Sequence, residues 1–115
     1  QAFSDYARTP ALHLQPLSVE TIINEVLDLY RGDEQKIDIN FHAEDDISAV
    51  EADPGRIRQL LHNLLRNAIE SLVNHKDGKI SLSLSEIEQQ TKHYVELRVQ
   101  DNGPGFPSKM MEKLF

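Results

Sequence analysis

Three stretches of the chain alternate apolar and polar residues with a period of two, and this pattern limits the folds that are open to it. Alternation gives each strand one apolar face and one polar face, which is typical of a mostly antiparallel sheet covered on one side only. Helices must therefore cover the apolar face. The apolar positions are Ile37, Ile39 and Phe41, then Ile80, Leu82 and Leu84, and then Val95, Leu97 and Val99.

Two helical segments have the apolar spacing needed to cover that face. Behind an N-cap at Ser18, apolar residues recur at helical spacing up to Tyr30. A longer helix is predicted from Pro54 to about His75, with Asp53 as its N-cap. We therefore predict a two-layer α/β sandwich, in which helices lie on one face of a mostly antiparallel mixed sheet. The expected apolar arc of the longer helix contains Ile57, Leu60, Leu61, Leu64, Ala68 and Leu72.

Composition excludes several classes of site and partner. The net charge is −7, with 19 acidic residues against 12 basic ones, which argues against a nucleic-acid partner. The absence of cysteine excludes disulfides and thiolate metal sites, and it fits a reducing compartment such as the cytoplasm. Residues 1–17 contain two prolines and no sustained period, so we interpret them as a helix end and linker, and residues 18–115 as one domain.

A polar stripe runs beside the apolar arc of the longer helix and consists of Arg56, Gln59, Asn63, Asn67, Glu70 and Asn74. Asn63 and Asn67 are four residues apart, so they lie on the same face. Asparagine is an indifferent helix former, so the pair needs an explanation. One interpretation is a solvated face or a pair of satisfied buried amides. The other is that the amide oxygens bind a hard cation such as Mg²⁺, which arrives with a phosphate-bearing substrate.

The third strand continues its apolar parity onto a carboxylate, because Asp101 follows Val99 on the same face. Burying a charge is costly unless it is hydrogen-bonded, so Asp101 should have a specific donor partner. Asn102 and Gly103 alone are typical of a hairpin turn. Residues 104–107 and the segment after them favour a short helix over a returning strand, which indicates that the glycines allow close backbone approach to a ligand.

These two motifs resemble those of a known family. Residues 53–71 resemble the asparagine box of sensor histidine kinases, and residues 101–105, Asp-Asn-Gly-Pro-Gly, resemble their first glycine box. The resemblance extends from about residue 16 onward and implies the Bergerat-type ATP-binding fold shared with gyrase, Hsp90 and mismatch-repair ATPases. Residues 3–10 are similar to the end of the second dimerisation helix in nitrogen-regulation sensor kinases.

The resemblance implies ATP and Mg²⁺ as cofactors and assigns a role to each motif residue. Asn67 would be the principal Mg²⁺ ligand, and Asn63 a neighbouring contact to metal or phosphate. Asp101 would accept a hydrogen bond from the adenine amino group, and Gly103 and Gly105 would let the loop lie close to the nucleotide. The γ-phosphate would then pass to a histidine on a dimerisation domain, and from there to an aspartate of a response-regulator receiver domain.

No catalytic residue is expected within the chain itself. The resemblance places the phosphoacceptor histidine on the dimerisation domain, and it places the lid over the phosphates and the second glycine box beyond residue 115. It therefore implies that residues 18–115 are the N-terminal part of the ATP-binding catalytic domain. The chain alone is therefore expected to be inactive. The parent protein is expected to be a homodimer anchored in the inner membrane, with this domain in the cytoplasm. None of the five histidines is followed by the acidic residue of the phosphoacceptor motif: His13, His42, His62, His75 and His93.

Two other functions stay open from the sequence. The chain could be a nucleotide-binding or protein-interaction module without transfer activity, or a hydrolysing ATPase of the same fold. The hydrolysing relatives place a glutamate general base where Asn63 stands, and an amide cannot take a proton from water. Asn63 therefore favours phosphoryl transfer, which depends chiefly on positioning and charge stabilisation.

Overall fold

The chain forms helices and strands across residues 13–31, 37–103 and 108–113, which are the residues that the computed structural model describes. In these ranges no helix is both long enough and apolar enough to cross a bilayer. The elements in chain order are β1 (Gln15–Leu17), α1 (Val19–Tyr30), β2 (Asp38–Ala43), β3 (Val50–Ala52), α2 (Pro54–Ser71), β4 (Lys79–Gln89), β5 (Lys92–Asp101) and β6 (Ser108–Lys113).

The main sheet has four strands in the order β2, β4, β5, β6. β2 runs parallel to β4, whereas β4 with β5 and β5 with β6 are antiparallel pairs. β1 and β3 form a separate two-stranded antiparallel sheet. The predicted mixed, mostly antiparallel sheet is therefore confirmed.

Both helices pack on one face of the main sheet, as the alternation predicted. The inward residues of β4 and β5 are each at most 2% exposed and form one cluster with the buried residues of the helices. Removing this apolar surface from water is the main stabilising contribution to the fold. The inward residues of β4 and β5 are Ile80, Leu82, Leu84, Val95, Leu97 and Val99.

The first helix, α1, begins and packs as predicted. The Ser18 side chain accepts a hydrogen bond from the backbone N–H of Thr21 at 3.3 Å, which satisfies one free donor of the first turn. Tyr30, the last residue of the predicted apolar face, is half-buried. The other five positions are fully buried: Val19, Ile22, Ile23, Val26 and Leu27.

The apolar face of α2 is rotated slightly from the predicted arc. Leu65 was left out of that arc, yet it is fully buried together with Ile57 and Leu61. Leu60 and Leu64, which the arc included, are only partly buried. Leu65 follows Leu61 by one turn, so the line of deepest burial passes through these two residues and not through Leu60 and Leu64.

The second helix ends at Ser71, earlier than the predicted end near His75. Leu72 is buried, and its backbone N–H donates to the carbonyl of Ile69, which tightens the last turn. A Cβ added at Gly78 would lie 3.1 Å from Leu72 Cδ1, so the start of β4 lies directly against Leu72. The helix therefore ends at the point where the chain reverses direction and β4 begins to pack against Leu72.

Two strands were not predicted from the sequence. Gln15–Leu17, assigned to a linker, forms β1 and pairs with β3. The sequence indicates only a weak short strand around residues 48–51, and β3 lies close to it at Val50–Ala52. The prediction of a helix after the glycine loop is wrong, because Ser108–Lys113 returns antiparallel to β5 as β6. Pairing with β6 satisfies backbone groups that would otherwise lie unpaired along the edge of β5. The domain boundary after residue 17 stays a prediction.

Glu96 differs from the other residues on the polar face of the sheet. The alternation of β5 predicts that Glu96 lies on the solvent-exposed polar face, but the residue is only 5% exposed. Its carboxylate accepts from Arg98 Nε at 2.8 Å and lies 3.9 Å from Lys109 Nζ. Arg98 and Lys109 lie opposite each other on β5 and β6, so the strand register brings two cations to one buried carboxylate.

Replacing Leu65 with alanine is expected to lower the free energy of unfolding by about 2–5 kcal/mol, because the change leaves a cavity in a close-packed core. The Leu64→Ala variant loses the same atoms from a partly buried position, so its loss should be smaller. Urea denaturation followed by circular dichroism measures both. An equal or larger loss at Leu64 would contradict the observed orientation of α2.

Candidate functional site

The carboxylate of Asp101 lies at the end of β5, half-buried and opposite Ile80 of β4. The hydroxyl of Ser71, the last residue of α2, donates a hydrogen bond to Asp101 Oδ1 at 3.1 Å. The backbone N–H of Gly103 donates to the same oxygen at 2.8 Å. The prediction that Asp101 has specific donor partners is therefore confirmed, and the donors come from the helix end and from the loop.

Asn102 fixes the loop to the start of β4. Its side-chain Oδ1 accepts from the backbone N–H of Lys79 at 2.8 Å, and its Nδ2 donates to the carbonyl of Asp77 at 3.1 Å. Its own backbone N–H donates to the carbonyl of Lys79 at 3.1 Å. These three bonds hold the residue between Asp101 and Gly103, so the loop begins from a defined position.

Gly103 lies against the end of α2. A Cβ added there would be 2.9 Å from Leu72 Cδ2, 2.9 Å from the Ser71 carbonyl oxygen and 3.0 Å from Ser71 Oγ. A packing contact within the protein therefore requires glycine at this position. The close approach of Gly103 to a nucleotide stays a prediction, and Gly105 lies outside the described residues.

The asparagine stripe of α2 faces outward. Asn63 and Asn67 are both exposed, which excludes the interpretation of two satisfied buried amides. Ser71 follows Asn67 by four residues, so the three side chains form one row along the helix. At about 1.5 Å per residue the row rises about 12 Å, and it ends at the carboxylate of Asp101. The structure therefore connects Ser71, Asp101 and Gly103 directly, and Asn67 and Asn63 lie one and two turns back along the same row.

The other flank of α2 is occupied by α1. The Tyr30 hydroxyl and His62 Nδ1 are hydrogen-bonded at 2.7 Å, and Arg58 forms an ion pair with Glu25 at 3.0 Å. His62 lies about 100° around the helix from Asn63, since successive helical residues are about 100° apart. Its contact with α1 gives it a structural role, and the asparagine row remains on the uncovered side.

One pocket of about 520 Å³ lies near the end of α2 but contains none of the predicted site residues. Its lining is mixed, and Ile69 lies about 200° around α2 from Asn67, which places the pocket on the flank away from the asparagine row. The lining residues are Ile37, Ile69, Leu72, Val73, His75, Lys76 and Asp77.

The donor set of the asparagine row limits how a metal could bind there. Asn63 and Asn67 offer neutral amide oxygens, whereas Mg²⁺ in proteins is usually held by one or two carboxylates together with phosphates and water. In the part of the chain that the structure describes, no three His, Cys, Asp or Glu side chains are grouped to hold a metal ion. The row therefore fits a Mg²⁺ ion that arrives with phosphates, and it does not form a complete metal site by itself.

The start of α2 has its own carboxylate. Asp53 Oδ2 accepts from the backbone N–H of His13 at 2.9 Å, and Oδ1 accepts from Gly55 N–H at 2.8 Å and Arg56 N–H at 3.4 Å. The hydrogen bond from His13 is the largest of the effects that lower the pKa of Asp53 below 3.8. Asp53 thus joins the incoming chain to the N-terminus of the helix.

Sequence reasoning missed Ser71 as a site residue. The signal was present, because residues 63, 67 and 71 share the four-residue spacing that paired the asparagines. A serine at a helix end has many ordinary explanations, however, and its partner Asp101 is 30 residues away. The contact follows only from the packing of α2 on β5.

Comparison with known proteins identifies the family. The model described as "Histidine kinase-, DNA gyrase B-, and HSP90-like ATPase" matches residues 52–115, which include α2, β4, β5 and the loop that follows. This is more than half of the chain, and the chain belongs to this family.

The relatives narrow the class further. The adaptive-response sensory kinase SasA of Synechocystis sp. is 33% identical over 106 residues, which cover 90% of this chain and 26% of SasA. The sensor histidine kinase ZraS of Escherichia coli O157:H7 is 35% identical over 106 residues, covering 90% of this chain and 22% of ZraS. The chain thus spans about a quarter of the length of these relatives.

A solved structure shares the fold. The catalytic domain of histidine kinase ThkA superposes with a TM-score of 0.70 at 29% identity, covering 84% of this chain and 63% of that domain. ThkA in complex with the response regulator protein TrrA gives a TM-score of 0.65 at 29% identity, with coverage of 93% and 31%. With the family match, these likenesses show that the chain is an ATP-binding domain similar to the catalytic domains of sensor histidine kinases.

Replacing Gly103 with alanine is expected to lower the free energy of unfolding by about 1–3 kcal/mol, because the new methyl group would meet the backbone carbonyl of Ser71. Gly55→Ala is a control of smaller effect, since a Cβ there would meet only the movable carboxylate of Asp53, at 3.3 Å, in the exposed first turn of α2, and its change should stay within about 1 kcal/mol. Chemical denaturation measures both. Wild-type stability in Gly103→Ala would show that the loop does not need glycine for packing.

The lowered pKa of Asp53 predicts how its contribution depends on pH. A carboxyl group whose pKa is lower in the folded state stabilises the fold above its unfolded pKa, here near 3.8, and loses that effect as the pH falls through its folded pKa. The Asp53→Asn variant should therefore melt below wild type at about pH 6, and the gap should narrow at about pH 3. Thermal unfolding at both pH values tests this, with Asp45→Asn as the exposed control. A gap that is equal at the two pH values would contradict the prediction.

Proposed function

We propose that the parent protein is a histidine protein kinase that binds Mg-ATP through this chain. It transfers the γ-phosphate to a histidine on its own dimerisation domain, from which an aspartate of a response regulator takes it. The observation that carries the proposal is the row of Asn63, Asn67 and Ser71 leading to the hydrogen-bonded carboxylate of Asp101. The family match and the sensory kinase relatives support it.

The end of the row at Asp101 would receive the adenine base. A half-buried carboxylate is an acceptor only, so it favours a ligand edge that presents an N–H donor, as the adenine amino group does. Because Asp101 lies between Ser71 at the helix end and Gly103 in the loop, these two residues shield its carboxylate from water on the side that faces the protein. Gly103, which packs against Leu72 and Ser71, shapes the same wall.

The outer end of the row would receive the phosphates. The exposed amide oxygen of Asn67 would be the principal protein ligand of Mg²⁺, and Asn63 a contact to metal or phosphate. When bound, Mg²⁺ would supply the positive charge that neutralises the phosphate oxygens. Because the amide of Asn63 cannot act as a general base, this end of the site positions the phosphates and does not activate water.

The partners of the parent protein are part of the same proposal. A receiver-domain partner is supported by the structure of ThkA in complex with the response regulator protein TrrA. We further propose a homodimer anchored in the inner membrane, with this domain in the cytoplasm. The assignment to nitrogen regulation rests on the resemblance of residues 3–10, which lie outside the described residues.

Incubating the full-length protein with γ-labelled ATP should yield an acid-labile phosphohistidine. The Asn67→Ala variant should label about 10- to 100-fold more slowly, because a contact to a charged group contributes about 1.5–3 kcal/mol. The matched control is Asn74→Ala, an exposed asparagine just beyond the helix, which should label at the wild-type rate.

The same assay separates the alternatives. Phosphate release without a phosphohistidine would support a hydrolysing ATPase. Nucleotide binding with neither product would support a binding module without transfer activity. Normal labelling of Asn67→Ala would remove the metal-ligand role of Asn67 and leave the kinase assignment intact.

A further inference from the structure

The two oxygens of the Asp101 carboxylate have different surroundings. Oδ1 accepts two hydrogen bonds, one from the Ser71 hydroxyl at 3.1 Å and one from the Gly103 N–H at 2.8 Å. Over residues 13–31, 37–103 and 108–113, Oδ2 accepts none. A carboxylate has about four acceptor positions, so one oxygen is largely occupied and the other is available.

The two donors act on one torsion of the aspartate. A carboxylate attached to a single Cβ can rotate, and the rotation is broad because the last torsion joins sp³ and sp² carbons. Two donors that arrive from different elements, one from the helix end and one from the loop, fix that rotation. The orientation of Oδ2 therefore depends on Oδ1 being held.

Of the two donors to Asp101 Oδ1, only the one from Ser71 can be removed by mutation without disturbing the packing of the loop. The Gly103 donor is a backbone group, and its residue also packs against α2, so a change there disturbs the fold. The Ser71 donor is a side-chain hydroxyl at the last position of α2, half-buried next to the loop. Removing that hydroxyl takes away one hydrogen bond to Asp101 without adding an atom.

We propose that Ser71 is a positioning residue for nucleotide specificity, which holds Asp101 Oδ1 so that Oδ2 is directed to the amino group of a 6-aminopurine ligand. This inference rests on the proposed function, because it requires the base to bind at Asp101. Ser71 acts through Asp101 and needs no contact with the base. Its effect is therefore specific to the one ligand group that Asp101 reads.

If Ser71 positions Asp101, removing its hydroxyl should affect the binding of two nucleotides differently when they differ only in the 6-amino group. Purine riboside triphosphate has the ring system and phosphates of ATP but lacks the 6-amino group. A site that hydrogen-bonds a ligand N–H rejects the analogue without it, because the buried acceptor is then left unpaired. A weakening of the whole pocket lowers the affinity for both nucleotides, whereas a misdirected Asp101 lowers the affinity for ATP alone.

The test is calorimetric titration of the full-length protein with Mg-ATP and with Mg-purine riboside triphosphate. Wild type should prefer ATP by about 10-fold or more. In Ser71→Ala this preference should fall by at least about 3-fold, while the affinity for the analogue stays within about 2-fold of wild type. Ser83→Ala is the matched control, an exposed serine on β4 that should keep the wild-type preference.

Any other result would contradict the role of Ser71, the role of Asp101 or nucleotide binding itself. An unchanged preference in Ser71→Ala, or an equal loss for both nucleotides, would show that Ser71 only ties the helix to the strand. A wild type that binds both nucleotides equally would show that Asp101 does not read the amino group. A wild type that binds neither would instead contradict nucleotide binding itself.

Discussion

The apolar contact between α2 and the inward residues of β4 and β5 is the interaction on which the rest of the structure depends. Ile57, Leu61 and Leu65 on the helix are fully buried with the inward residues of the strands. Burial of each such side chain contributes about 1.5–3 kcal/mol. Because this contact fixes how α2 is rotated on the sheet, it also determines which helix residues can face a ligand.

The polarity of the site changes along its length for the same reason. At the outer end, Asn63 and Asn67 are exposed and meet water. At the inner end, Ser71 and Asp101 are half-buried, and the carboxylate is stabilised by two donors. A nucleotide has the same gradient, from charged, strongly hydrated phosphates to a flat base with a few hydrogen-bonding groups. This gradient arises because the row starts on the exposed face of α2 and ends at Ser71, where the helix meets the end of β5.

Local patterns predicted much of this fold and site. The parity of β5 placed Asp101 correctly, because the side-chain direction that Val95, Leu97 and Val99 share continues to the last residue of the strand, which is half-buried. The N-caps Ser18 and Asp53 were found since capping depends on neighbouring residues only.

Features set by the register between distant segments could not be predicted. Leu65 was missed because a helical wheel does not determine which of several adjacent apolar rows lies deepest. Glu96 is buried through cations on its own strand and on β6, and β1 is only three residues long, too short to show a period. Ser71 belongs to the same group, since its partner lies on another element.

Helix α2 is held by a carboxylate at each end. Asp53 binds the backbone of His13 where the chain enters, and Asp101 binds Ser71 where the helix stops. The 18 residues between these attachments form a rod about 27 Å long. A helix of this length keeps its two ends at a fixed separation while its backbone hydrogen bonds are intact. The segment that enters at His13 and the carboxylate at the end of β5 therefore lie at opposite ends of one helix, and each is hydrogen-bonded to its own end.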